Sequence, residues 1–200
     1  MKKPLILFSI ALIYFKALCA QTPKPHTIKL QDLNFSFITA TKKITDGSTY
    51  SLLGTSFMQP PASDNAKTML SQWFGKHPNA DVIPVCSFRP PDGVKDAAKQ
   101  LFIFCWIIDN KDTLNNYLVK NGCFPGGTMY AYDEWKKMNA SMQKGMPVPI
   151  IEVYVKKKDY ETYQKQIVAN EMYAHDHRIG LWSEKEYYKI KTIEEKNKSK

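Results

Sequence analysis

Arginine is nearly missing from this chain. Arg89 and Arg178 are the two arginines among 28 cationic side chains. Guanidinium forks are the usual bidentate grip on phosphate, so a dense arginine-built phosphate site is excluded. The four cysteines show no Cys-x-x-Cys spacing, so a zinc cluster or redox pair of that type is not indicated. No Asp or Glu occurs between Gly47 and Ser63. No Ser/His/Asp signature, nucleophile elbow, Walker loop or dinucleotide fingerprint appears, and other enzyme classes therefore have no positive support. After the first twenty residues no apolar run is long enough to cross a bilayer.

Those first twenty residues carry Lys2 and Lys3, an apolar stretch from Pro4 to Phe15, then Ala17, Leu18, Cys19 and Ala20. This reads as a secretory signal cleaved after Ala20, which places the product outside the inner membrane, secreted or periplasmic. Lipidation at Cys19 is the lesser reading, because Lys16 stands where an apolar residue is expected. Cleavage removes three lysines and lowers the formal net charge from +9 to +6. A modest basic excess suits a polyanionic partner, and it equally suits plain solubility. Cys86, Cys105 and Cys123 remain; Cys86 and Cys105 lie on two apolar segments and read either as a cross-strand bridge or as buried thiols.

Residues 21–32 form a polar, Pro-containing lead. Leu33, Phe35 and Phe37 alternate with polar neighbours up to Thr41 and predict a strand, with Asp46-Gly47 turning the chain into a second strand over Tyr50–Leu53. Ser63 is placed to cap a helix bearing Ala66, Met69, Leu70 and Phe74 on its inner side. Val82–Phe88 reads as a strand that Pro84 assigns to an edge or a bulge, and Leu101–Ile108 as an apolar strand in mid-sheet. Asp112 is expected to cap a helix ending at Asn121-Gly122, and Asp159 to open a last helix that stops at Gly180 and docks Trp182. Residues 133–149 read as an insertion or linker, Ile150–Val155 as extended, and 185–200 as a charged tail. The order predicts an α+β, mainly β domain over 33–184: a small OB-type antiparallel barrel decorated by about three helices.

Three pieces carry a family resemblance: Asp46-Gly47-Ser48-Thr49, the stretch LNNYLVKNG from Leu114 to Gly122, and HDHRIGLWSE from His175 to Glu184. With Tyr130 and Tyr132 between them, the chain from about Leu33 to Glu184 resembles the staphylococcal-nuclease (thermonuclease) family. The resemblance implies a calcium-dependent phosphodiesterase whose Tyr-x-Tyr flanks a nucleotide base. The family's first turn is Asp-Gly-Asp-Thr, and its second Asp, a metal ligand, aligns with Ser48. Its second metal stretch aligns with Met58-Gln59-Pro60-Pro61, which puts Met58 at a metal carboxylate and Pro61 at the general base. The two phosphate arginines fall near Leu53 and near Lys99 or Gln100. A thioether and a proline can neither hold calcium nor take a proton from water, so no catalytic residue, metal site or cofactor is expected.

What remains is binding chemistry. Tyr130 and Tyr132 are candidate stacking faces, or alternatively aromatics covering the core; Arg89, Lys95 and Lys99 are candidate cations on a Pro/Gly loop, or alternatively a solvated loop. His175, Asp176 and His177 are spaced two apart or less on a helix, where paired metal ligands favour three or four. The expectation is an exported, catalytically degenerate thermonuclease-like protein that binds single-stranded nucleic acid or another polyanion. Its rivals are an active nuclease with an unconventional site, and a structural or protein-binding envelope component.

Overall fold

The computed structural model describes residues 26–36, 39–42, 47–54, 62–89, 101–126, 129, 132–134 and 150–185. The signal segment, Lys95, Lys99, Tyr130, Met58, Pro61, the expected insertion from 135 and the tail from 186 lie outside them. Eight strands form one curled sheet: β1 (Ile28–Lys29), β2 (Leu33–Ser36), β3 (Thr39–Lys42), β4 (Thr49–Leu52), β5 (Asp81–Arg89), β6 (Phe102–Asp109), β7 (Asp112–Thr113) and β8 (Ile150–Val153). Among the described residues, the α-helices α1 (Ala66–Lys76), α2 (Leu114–Lys120) and α3 (Lys157–Asp176) decorate it.

The sheet order is β1-β5-β6-β4-β3-β2, with β7 added to β6 and β8 to β5. Its two ends, β1 and β2, are separated by the single 3-10 turn Leu30–Asp32, so the sheet curls back toward the segment where it began. The fold is α+β, a small barrel-like sheet decorated by helices, as the sequence predicts. The sheet is mixed rather than purely antiparallel, because β4 and β6 run parallel (Tyr50 opposite Ile103, Leu52 opposite Cys105). The long excursion through α1 allows this: β5 and β6 pair antiparallel, and β6 then lies beside β4 in the same direction.

The strand expected from Leu33 to Thr41 is in fact two. Ser36 opposes Thr39, so a two-residue connection folds the segment into a β2–β3 hairpin. Pro84 sits at a bulge, where the β5–β6 register shifts between Pro84 and Cys86, and on the other side of β5 it falls in the gap between the residues paired with β1 (Asp81, Val82) and those paired with β8 (Cys86–Arg89).

The apolar run of β6 is buried on both faces, which explains its lack of alternation. Tyr50, Leu52, Ile103, Cys105 and Ile107 meet Leu70 and Trp73 of α1 and Leu114 and Leu118 of α2 in one core. Val85, Cys86, Phe104 and Trp106 meet Tyr160 and Ile167 of α3 in another. Tyr163 stacks on Trp106 with centroids 4.5 Å apart. Cys105 thus faces the first core and Cys86 the second, so no bridge joins them; all three thiols are free and buried. Burial pushes Cys86 up to about 12 and Cys123 to about 11 from the ordinary 9.0, and Cys105 also upward.

Asn115, fully buried, ties the layers together. Its Oδ1 accepts from the Ile107 N–H at 3.0 Å, and its Nδ2 donates to the Leu53 carbonyl at 2.7 Å and the Cys105 carbonyl at 3.1 Å. A buried amide with its backbone partners satisfied both stabilises and fixes register.

Three expected caps differ. Ser63 does not cap α1; its hydroxyl donates to Asn65 Oδ1 at 2.6 Å while its backbone N–H bonds the Cys123 carbonyl. Asp112 is drawn into the β6–β7 pairing opposite Asp109, and Thr113 precedes α2 without a side-chain cap. Beyond the end of helix α3 the chain turns at Arg178, which sits in the left-handed region (φ 53), with the Ile179 N–H closing on the Ala174 carbonyl. Gly180 serves another purpose. Its backbone packs against Gly122, where a Cβ on Gly180 would meet the Gly122 oxygen at 2.4 Å and one on Gly122 the Ile179 oxygen at 2.0 Å. The Leu181 N–H donates to that same Gly122 oxygen, and the docking residue is Leu181, buried, more than Trp182.

Candidate functional site

Strand register collects the described candidates at one end of the barrel. Phe88 opposes Phe102, and Phe102 opposes Thr49, so Arg89 at the end of β5 and Ser48 before β4 flank the same row. The Thr49 N–H donates to the Leu101 carbonyl, which pins this corner. The loop bearing Lys95 and Lys99 leaves the sheet after Arg89 and returns at Leu101, although its own residues lie outside those described.

Side-chain alternation divides this end into two faces. Ser48 shares a face with Tyr50, and Arg89 with Ser87, which opposes Ile103 and Glu152 across the sheet. Ser87 and Tyr154 are buried here, their hydroxyls joined by a short hydrogen bond, and the Tyr154 hydroxyl also reaches Glu152 at 3.4 Å. Burial is the main cause that raises the Tyr154 phenol above its ordinary value. Ser48 is 8% exposed and so largely covered.

On the opposite face, Phe88 and Phe102 form a cross-strand pair that stands in solvent at 36% and 44% exposure. Tyr132 packs on this side too, its ring edge-on to Tyr160 with centroids 5.7 Å apart. It is half-buried and covers the second core while leaving part of its surface outside. Beside it Lys157 pairs with Asp133 at 2.6 Å. Leu53 is buried against the same core.

Phe88, Phe102, Ser87, Glu152 and Tyr154 are the residues that sequence reasoning missed. The signal for the last two is the alternation of Ile151 and Val153 with Glu152 and Tyr154, which places both polar groups on one face. Phe102 was hidden by the near-continuous apolarity of β6, and Phe88 by its place at the end of the apolar segment of β5.

Among the described residues no three His, Cys, Asp or Glu side chains converge as metal ligands would. The histidines near the end of α3 diverge: the His177 ring stacks on Tyr173 at 4.1 Å, and His175 meets Trp182 edge-on at 5.3 Å. Asp81 pairs with Lys29 at 2.6 Å, away from the mouth; Asp92 and Asp96 lie outside the described residues. Among those residues no helix is long and apolar enough to cross a membrane. No protein-family model matches the chain, and no curated protein sequence matches it.

Proposed function

We propose that this exported protein binds single-stranded nucleic acid, or another polyanion, at the Arg89 end of its barrel and does not hydrolyse it with a metal ion. The observation that carries the reading is the solvent-facing Phe88–Phe102 pair at the root of the Lys95 and Lys99 loop, with Arg89 next in the chain but on the other face of the sheet. Aromatic faces next to a cationic loop are what sequence-tolerant single-strand binders use, each stacked base contributing about 1–3 kcal/mol. Tyr132, half-buried on that face, extends the aromatic surface, and Tyr130 is proposed as a second stacking face from its Tyr-x-Tyr setting in the sequence. The loss of hydrolysis rests on the residues themselves: Ser48, Met58 and Pro61 stand where the resembled family has two metal carboxylates and a general base.

The test is incubation of the purified protein with labelled single-stranded DNA and RNA, with calcium or with chelator. Salt-sensitive retention of uncut strand under both conditions is expected. Calcium-dependent cleavage abolished by chelator would refute the reading and favour an active nuclease with an unconventional site. An envelope-protein partner is the third reading; deletion of residues 133–149 that abolishes capture of a partner, with oligonucleotide binding absent, would support it.

A further inference from the structure

At the far end of β6, about 23 Å from the Phe102 corner at 3.3 Å per residue, a second surface groove opens between the ends of α1, β7, α2 and the middle of α3. We infer that this groove, separate from the barrel mouth, binds a compact phosphorylated ligand the size of a sugar bisphosphate. Its volume of about 630 Å³ suits such a molecule. Three lysines from three elements converge on it: Lys76 from the last turn of α1, Lys111 from the turn before β7 and Lys120 from the last turn of α2. Lys76 and Lys120 also offset their helices' terminal carbonyls, but Lys111 has no such task.

Among the described residues none of the three ammonium groups has a carboxylate within salt-bridge distance, and Lys120 instead lies 4.9 Å from the centre of the Tyr173 ring. Asp109 is occupied by His77 at 2.8 Å, leaving Asp112 as the one carboxylate in the lining. A lysine is a point charge suited to phosphate without fork geometry, which fits a chain so poor in arginine.

The groove has a preformed polar wall as well as charge. Asn170 Nδ2 donates to Asn116 Oδ1 at 2.9 Å, Asn116 Nδ2 donates to Gln166 Oε1 at 2.9 Å, and Asn121 Nδ2 donates to the Tyr117 carbonyl at 2.8 Å. The first two bonds lock α2 to α3, and all three fix the amides before any ligand arrives. The Asn170 and Asn121 oxygens then remain to accept from sugar hydroxyls.

The experiment is a titration of isotope-labelled purified protein with inorganic pyrophosphate and, separately, with fructose 1,6-bisphosphate, followed through the side-chain amide signals of Asn116, Asn121 and Asn170. Saturable shifts are expected with both probes. Tighter binding of the bisphosphate would mean that the amide wall reads hydroxyls, and equal binding that phosphate charge alone is recognised. The combined Lys76→Gln, Lys111→Gln, Lys120→Gln protein should bind about tenfold or more weakly at low salt. The exposed single change Lys111→Glu should also weaken binding, and it keeps the test valid if the triple variant does not fold. Arg89→Gln should leave these titrations unchanged, whether or not the mouth binds nucleic acid. Unmoved amide signals, or lysine variants that bind like the parent, would overturn the inference.

Discussion

The two ends of β6 show how one strand serves opposite purposes. At the Asp109 end three helices close over the sheet, and the backbones of Gly122 and Gly180 touch so closely that neither tolerates a Cβ. At the Phe102 end the same strand places a ring 44% exposed in solvent, opposite an exposed Phe88. Burial of backbone against backbone fixes the chain at one end, while the other presents side chains that the fold itself does not need. An apolar residue that a core can spare is the better candidate for a ligand.

The largest effect that would sharpen this contrast is at the glycine junction. Gly122→Ala forces a Cβ to 2.0 Å from a carbonyl oxygen at a residue with φ 61, and should destabilise by about 3 kcal/mol or more in denaturant unfolding. Asn115→Ala leaves the buried Ile107 N–H and Leu53 carbonyl without this partner, and the Cys105 carbonyl with the Leu53 N–H alone, for a loss of about 2–4 kcal/mol by the same measurement.

Alkaline titration probes both cores. The buried thiols have folded pKa values above their unfolded 9.0, so their contribution is fully present below pH 9 and is lost as pH rises toward about 11–12. Stability should fall by about 1.4 kcal/mol per pH unit for each thiol in that window, and a flat profile would show that the thiols ionise in place. At the open end, joint Phe88→Ser and Phe102→Ser substitution should change stability by less than about 1 kcal/mol, as at other exposed positions. Smallest is Gly75→Ala. An added Cβ there meets nothing within 4 Å, and α1 should gain about 0.5–1 kcal/mol.

Local patterns made much of the architecture legible. The continuous apolarity of Leu101–Ile108 marked the doubly covered strand, Asn121-Gly122 marked the end of α2, and Tyr160, Ile167 and Ala174 marked the inner side of α3. Non-local contacts were not legible. Nothing near Phe37 announced that the β2–β3 pairing would fold that segment, and Asp112 and Ser63 lost their capping roles to partners distant from the helix start. Gly180 looked like a helix terminator because its true neighbour, Gly122, lies 58 residues away in the chain.

The candidate site was half legible. Arg89 and Ser48 were identified from their sequence setting, and the register puts them at one corner. Phe88 and Phe102 were not, because an exposed ring and a buried one look alike in an apolar run.

Equilibrium binding of a fluorescent single-stranded oligonucleotide to the purified protein and to its Phe88→Ser, Phe102→Ser variant, each across a salt series, tests the central claim most directly. The account predicts parent affinity that declines with salt and a variant that remains folded but binds at least tenfold more weakly, the equivalent of about 1.4 kcal/mol. Equal affinity of the two proteins, or no binding by the parent at low salt, would contradict it.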